Sequence, residues 1–233
     1  MKRPPLTDAV LLRRYKRFLA DVRLPDGTEV TAHCPNSGRM TACWAEGIPC
    51  RLRYSDNPKR KLAWTLEQTR MNGSWVLVDT SLPNRIVEEA IQRAEVPELV
   101  GYPTLRREVR EGDSRIDLQL SGADRPVCWV EVKNVTLLDD DGVLRFPDAV
   151  SARARKHVDA LGDRVEAGER AVLFFHVGRG DGSHVEPADA VDPAYGDALR
   201  RAVARGVEVL AYRAEVGADE IVLGASLEVR GLR

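Results

Sequence analysis

An Asp, a Glu and a Lys stand in register in the stretch from Ser114 to Lys133, SRIDLQLSGADRPVCWVEVK. Two runs of alternating apolar and polar residues, around RIDLQL and VCWVEVK, flank the turn-rich SGADRP, which is the pattern of a β-hairpin. A turn centred on Asp124 sets Asp117 directly opposite Glu131, and Arg115 opposite Lys133. One face of the ribbon then carries Arg115, Asp117, Gln119, Trp129, Glu131 and Lys133. The other carries Ile116, Leu118, Leu120, Cys128, Val130 and Val132 and faces a core. Carboxylates opposed across strands repel each other, so positive charge belongs between them. One source is a hard divalent cation, Mg²⁺ or Mn²⁺, held by Asp117, Glu131 and the Val132 carbonyl. Lys133 is then placed to position or deprotonate an attacking water, as metal-assisted phosphodiester cleavage requires. Glu89 or Glu88, from the helix before the hairpin, completes that site. The other source is Arg115 and Lys133, in which case the face is a salt-bridged surface. Asp, Glu and Lys are common, and the D-x₁₃-E-x-K spacing leaves both readings open.

The elements that must position these residues can be read on either side. From Ala9 to Asp56, short strand-like pieces separated by turns (PDG, PNSG, SDNP) predict a small barrel. In RRYKRFLADV an extended reading puts Arg14, Lys16, Phe18 and Ala20 on one face, beside Arg17. Lys59, Arg60 and Lys61 follow in NPKRK. Cations interleaved with Tyr15, Phe18 and Trp64 suit nucleic acid, where charge tracks phosphates and rings stack on bases; core rings beside solvated cations are the alternative. The Cys34–His33 pair in HCPNSG is no thiol catalyst, because adjacent strand residues point to opposite faces. A boundary falls near Pro83, dividing the chain into 1–82 and 83–233. Asn84 then reads as the N-cap of a helix with Ile86, Val87, Ala90, Ile91 and Ala94 on one face. After the hairpin come a helix from FPDAVSARARKHVDAL, with Arg153, Arg155, Lys156 and His157 as a basic run, and a buried strand RAVLFFHV. A helix over DPAYGDALRRAVARG, the strand VEVLAY and a β-like tail EIVLGASLEV close the chain. That alternation predicts an α/β (α+β) layered fold after the barrel.

The 233 residues suffice for one large domain or two small ones. Residues 1–82 hold 14 Lys and Arg against 8 Asp and Glu, and the rest of the chain 21 against 28. The excess of cations points to a polyanion-facing first part. Four cysteines, Cys34, Cys43, Cys50 and Cys128, match no zinc-binding spacing and read as reduced structural thiols. Met1–Arg13 lacks the apolar segment of a signal peptide, and no run nears 18 apolar residues. The expectation is a cytoplasmic protein with no membrane partner. The sequence leaves its oligomeric state open.

Several blocks in order, RYKRFLADV, HCPNSGRM, SDNPKRK, NRIVEEAI, SRIDL, VEVKNVTL, FPDAVSAR and GVEVLAY, resemble the sugar fermentation stimulation (SfsA) family over nearly the whole chain. The resemblance implies an N-terminal OB-fold-like β-barrel and a C-terminal restriction-endonuclease-like domain of the PD-(D/E)xK kind. It also implies a DNA-binding protein that regulates sugar (maltose) utilisation genes. In the nuclease pattern Asp117 is the motif Asp, Glu131 and Lys133 form E-x-K, and Glu89 is the helix acid. Ile116 replaces the proline of the nominal PD, and Arg155 stands where the family commonly has Gln. Two functions follow as expectations: a Mg²⁺- or Mn²⁺-dependent nuclease whose barrel grips DNA, or a non-catalytic DNA-binding regulator on the same scaffold. Nucleic-acid contacts are expected from Arg14, Lys16, Arg17, Lys59, Arg60, Lys61, Arg153 and Arg155.

Overall fold

The computed structural model describes residues 1–111 and 114–233. Six strands form the N-terminal part: β1 (Leu6–Tyr15), β2 (Leu19–Arg23), β3 (Glu29–His33), β4 (Pro49–Tyr54), β5 (Trp64–Met71) and β6 (Ser74–Leu77). They pair in the order β3-β2-β1-β4-β5-β6, and a parallel bridge from His33 to Thr65 joins β3 to β5. That bridge closes the sheet into the five-stranded barrel of an OB-fold, with β6 appended. Inward-facing Leu11, Ala20, Val22, Ala32, Cys50, Leu52 and Leu66 fill it. RRYKRFLADV is not one extended run. Lys16 and Arg17 have φ of 48° and 63°, so the chain turns there and β1 folds back onto β2, pairing Tyr15 with Leu19. Lys16, Arg17 and Phe18 thus form a hairpin tip, which replaces the expected shared face with Arg14 and Ala20.

The C-terminal part contains α1 (Pro83–Gln92), β7 (Thr104–Glu111), β8 (Ser114–Gly122), β9 (Arg125–Val135), β10 (Leu137–Leu138), β11 (Leu144–Phe146) and α2 (Ala152–Glu166). After these come β12 (Arg170–Val177), β13 (Val185–Pro187), α3 (Pro193–Ala204), β14 (Glu208–Val216) and β15 (Ile221–Ser226). The main sheet runs β15-β14-β12-β9-β8-β7, with β9, β12 and β14 mutually parallel. Ile86, Val87, Ala90 and Ile91 of α1 cover one face, packing with Leu118, Leu120, Cys128, Val130 and Val132. Ala154, Val158 and Leu161 of α2 and Leu199 of α3 cover the other, packing with Trp129, Leu173 and Phe175. Parallel central strands need helices on both faces. The hairpin face expected to be polar is therefore partly covered: Trp129 and Glu131 are buried, Trp129 under α2 with its indole donating to Glu169, while Arg115 stays exposed.

Candidate metal centre and nucleic-acid interface

The expected hairpin register is present: Leu118 pairs with Val130 and Leu120 with Cys128, so Asp117 lies level with Glu131. The two strands part just there. Across the other edge of β8, Glu108 faces Asp117 in the register set by Arg107–Leu118 and Val109–Ile116, and it has φ of 54°. Such a left-handed residue distorts the strand locally, although the register on either side of it is unchanged. It turns Ile116 into the cluster under α2 rather than onto the face of Leu118, correcting the expected alternation. It also takes Asp117 out of the ladder. Its Oδ2 accepts the Val132 N–H at 2.8 Å, substituting for a backbone carbonyl, and its Oδ1 accepts from Asn84 Nδ2 at 2.7 Å.

Glu131 is 2% exposed. Its Oε1 contacts both Lys133 Nζ and His157 Nδ1, while its Oε2 is buried without a partner. His157 Nδ1 is also 3.2 Å from Lys133 Nζ. The two carboxylates titrate apart. Burial and the charge of Glu131 push Asp117 up to about 6, against its bonds from Val132 and Asn84. Burial also raises Glu131, but His157 and Lys133 outweigh it and hold that carboxyl below its usual range. These residues line a recess of about 220 Å³ with Ser151 and Arg153. It shares Asn84, Lys133 and Arg153 with a cleft of about 550 Å³ that reaches the barrel at Arg17, Asn36 and Gly38.

Several expected site residues lie elsewhere. Glu89 does not reach Asp117; its carboxylate pairs with the Met1 amine at 3.2 Å and Arg93 at 3.5 Å. Glu88 pairs with Arg107 at 3.4 Å. The α1 residue that does reach Asp117 is Asn84. Pro83, with its preset φ, starts the helix two residues earlier than a cap at Asn84 requires, and Leu82 is the N-cap. Asn84 is therefore inside the helix with its amide free to bond Asp117. Arg115 pairs with Glu108, not with the carboxylates of the site.

Among the expected nucleic-acid contacts, Lys16, Arg17, Lys59, Lys61 and Arg153 are exposed. Arg60 is half-buried and donates to Thr65 Oγ1 at 2.6 Å. Arg14 has a different task, spending its N–H groups on the carbonyls of Arg17, Asn36, Gly38 and Arg39. Arg155 is held by Asp192 at 3.0 Å. His157 was legible only as part of a basic run, although it flanks the buried stripe of Ala154, Val158 and Leu161 and so had to lie at the edge of the packed helix face. All four cysteines are free and buried, and burial pushes Cys43 up to about 11 and Cys50 to about 12. Among the described residues no helix is long and apolar enough to cross a membrane.

Residues 81–220 match the family model described as the sugar fermentation stimulation protein RE domain, and residues 12–78 match the SfsA N-terminal OB domain. The chain is 53% identical over 227 residues to a sugar fermentation stimulation protein homolog of Acidithiobacillus ferrooxidans, covering 97% of this chain and 98% of that one. It is 56% identical over 226 residues to the homolog of Geobacter sulfurreducens, covering 97% and 96%. The solved structure of Pyrococcus furiosus SfsA in complex with Ca²⁺ superposes with a TM-score of 0.89 at 27% identity, covering 99% and 98% of the two chains. The barrel is thus an OB domain and the second part a restriction-endonuclease-like α+β domain.

Proposed function

The chain belongs to the sugar fermentation stimulation protein family, and on that footing we propose that it binds DNA and hydrolyses phosphodiester bonds with a divalent cation, Mg²⁺ or Mn²⁺, at Asp117 and Glu131. The observation that carries this reading is the buried, unpartnered Oε2 of Glu131 level with a second carboxylate raised to about 6. An unpaired buried carboxylate oxygen is costly, and a hard cation would relieve both groups. Asp117, Glu131 and the Val132 carbonyl form an all-oxygen donor set of the kind such ions take. The Pyrococcus relative was solved with Ca²⁺, an ion of the same preference. When bound, the cation lowers the pKa of water and stabilises charge growing on phosphate oxygens.

The chain's own groups do the rest. Asn84 and the Val132 N–H fix both oxygens of Asp117, and His157 steadies Glu131. Lys133 brings an ammonium to the carboxylates, where it can orient an attacking water. Arg153 and Arg17 line the approach and offer charge to phosphates. A second reading, a non-catalytic and largely sequence-nonspecific DNA-binding regulator of sugar (maltose) utilisation genes, draws on a different observation. Among the described residues no three His, Cys, Asp or Glu side chains are grouped to hold a metal, and Lys133 already neutralises Glu131. Labelled single- and double-stranded DNA incubated with Mg²⁺, Mn²⁺ or EDTA separates the two. Metal-dependent cutting lost in Asp117→Asn, with binding retained, is expected; binding without cutting under any metal leaves the regulator.

A further inference from the structure

The segment from Pro35 to Cys43 links β3 to β4, and both its ends are tied down. Thr80 donates through N and Oγ1 to the Pro35 carbonyl, and Asn36 Nδ2 donates to the Val78 carbonyl at 3.2 Å. At the other end Arg179 donates to the Ala42 carbonyl and Cys43 Sγ meets the Thr136 carbonyl. Between these anchors the segment touches the opposite domain again. The Met40 N–H points at Asp148 Oδ2 at 3.4 Å, and a Cβ on Gly38 would lie 2.3 Å from the same oxygen. Gly38 has no left-handed φ, so what a larger residue would meet there is this close approach, and the Asp148 side chain would have to move aside. Arg14 stiffens the span from within through the carbonyls of Asn36, Gly38 and Arg39.

The result is a strap that runs from the linker before α1 to the loop before α2. The 550 Å³ cleft lies between this strap and β9, with Lys133 and Asn134 on the far wall. Among the described residues Asp148 is the one carboxylate lining the cleft, and it is turned to the strap; Arg17 and Arg153 offer exposed cations, while Lys133 is shared with Glu131 and Arg145 is held by Asp139, Asp141 and Glu186. A volume in the usual range of small-ligand sites, about 300–1,000 Å³, accommodates a nucleotide and its phosphates, and the strap, tied to the linker before α1 and meeting Asp148, frames the cleft on the side away from β9. Phe18, 48% exposed beside Arg17 on the hairpin tip, offers a stacking surface near the barrel end of the cleft.

We infer that the polynucleotide reaches Asp117 and Glu131 as a single unpaired strand passing between the strap and β9, and that paired DNA is excluded. For cleavage this rests on the hydrolytic reading above; for binding it does not. The strap can be locked with Gly38→Cys and Asp148→Cys, since a Cβ at Gly38 would lie 3.1 Å from the Asp148 Cγ and the native thiols are buried. Linear single strands, circular single strands, blunt duplex and duplex with a single-stranded overhang are compared in EDTA and Ca²⁺ for binding, and in Mg²⁺ or Mn²⁺ for cutting. The oxidised protein is expected to keep the linear single strand and the overhang, to lose circular single strands by at least about tenfold, and to regain them on reduction. Wild type should bind linear single strands at least about tenfold more tightly than blunt duplex. Arg14→Met, which loosens the strap without a locking bond, should narrow that ratio. Circles or blunt duplex handled as well as linear single strands by the oxidised protein would overturn threading, as would an unchanged ratio in Arg14→Met. Topology-dependent binding with no cutting would leave threading intact and remove the hydrolytic reading; cutting of every substrate alike would do the reverse.

Discussion

Asp117 and Glu131 share one site but are held in different ways. Asp117 has two fixed neutral donors, Asn84 and the Val132 N–H, whereas Glu131 has the cation Lys133 and the ring of His157. Truncating Lys133 to Ala strips the ammonium from a carboxylate that remains buried. Hydrolysis should then fall by at least about a hundredfold with DNA affinity little changed, measured as single-turnover cleavage alongside binding. Asn84 acts through Asp117 and is a positioning residue. Asn84→Ala should weaken Mn²⁺ binding about 10–100-fold, the scale of lost outer-shell bonds to a ligand, as read by titration of the metal itself. Glu89→Gln should leave that affinity unchanged, because its carboxylate serves the Met1 amine and Arg93.

Arg155 was expected among the nucleic-acid contacts, yet at the level of elements it is a fastener. Asp192 caps α3 by accepting the Tyr195 N–H, accepts the Ser151 N–H where α2 begins, and pairs with Arg155. Burial raises the Asp192 carboxyl, and these backbone bonds and Arg155 together bring it below its usual range. Asp192→Ala removes a helix cap and two further partners, and should cost about 2 kcal/mol in urea unfolding. Arg155→Ala should likewise lower stability, and leave the salt dependence of DNA binding as it was. Lys59 and Lys61, exposed on the loop between β4 and β5, behave in the opposite sense. Replacing both with Ala should reduce the slope of log affinity against log salt by about 1.4 for single strands, with unchanged unfolding.

Across the whole molecule the two domains are joined by buried polar groups. Arg179 is fully buried, bonding the carbonyls of Ala42 in the barrel and Thr136 beyond β9, and it is gripped by Asp181. Leu77 at the end of β6 donates to the Gly178 carbonyl, and its own carbonyl accepts from Asn134. Asn134 Oδ1 meets Nδ1 of His176, which is completely buried. Burial pushes His176 down to about 4 from 6.5. A base harder to protonate when folded contributes stability that is full above about pH 6.5 and is lost as pH falls towards 4, by up to about 3 kcal/mol. Urea unfolding at about pH 7 and about pH 4.5 should show that loss in wild type, and a smaller one in His176→Gln.

The sequence by itself determined what alternates and what is covered. Period-2 runs set the hairpin register that levels Asp117 with Glu131, the apolar run RAVLFFHV set a doubly covered strand, and ordered blocks implied the family. Such features depend on neighbours in the chain, and local sterics and burial decide them. What only the tertiary structure decided are contacts between residues far apart in sequence. Asn84 rather than Glu89 meets Asp117 because Pro83 starts the helix early and the left-handed Glu108 frees Asp117 from its ladder. His157 reaches Glu131 because α2 packs over β9. Arg14 and Arg155 look like surface cations in the chain, but the fold surrounds them with carbonyls and a carboxylate. A charge's role is set by what lies within hydrogen-bonding distance, which depends on how distant segments pack and is not encoded in the spacing of the chain.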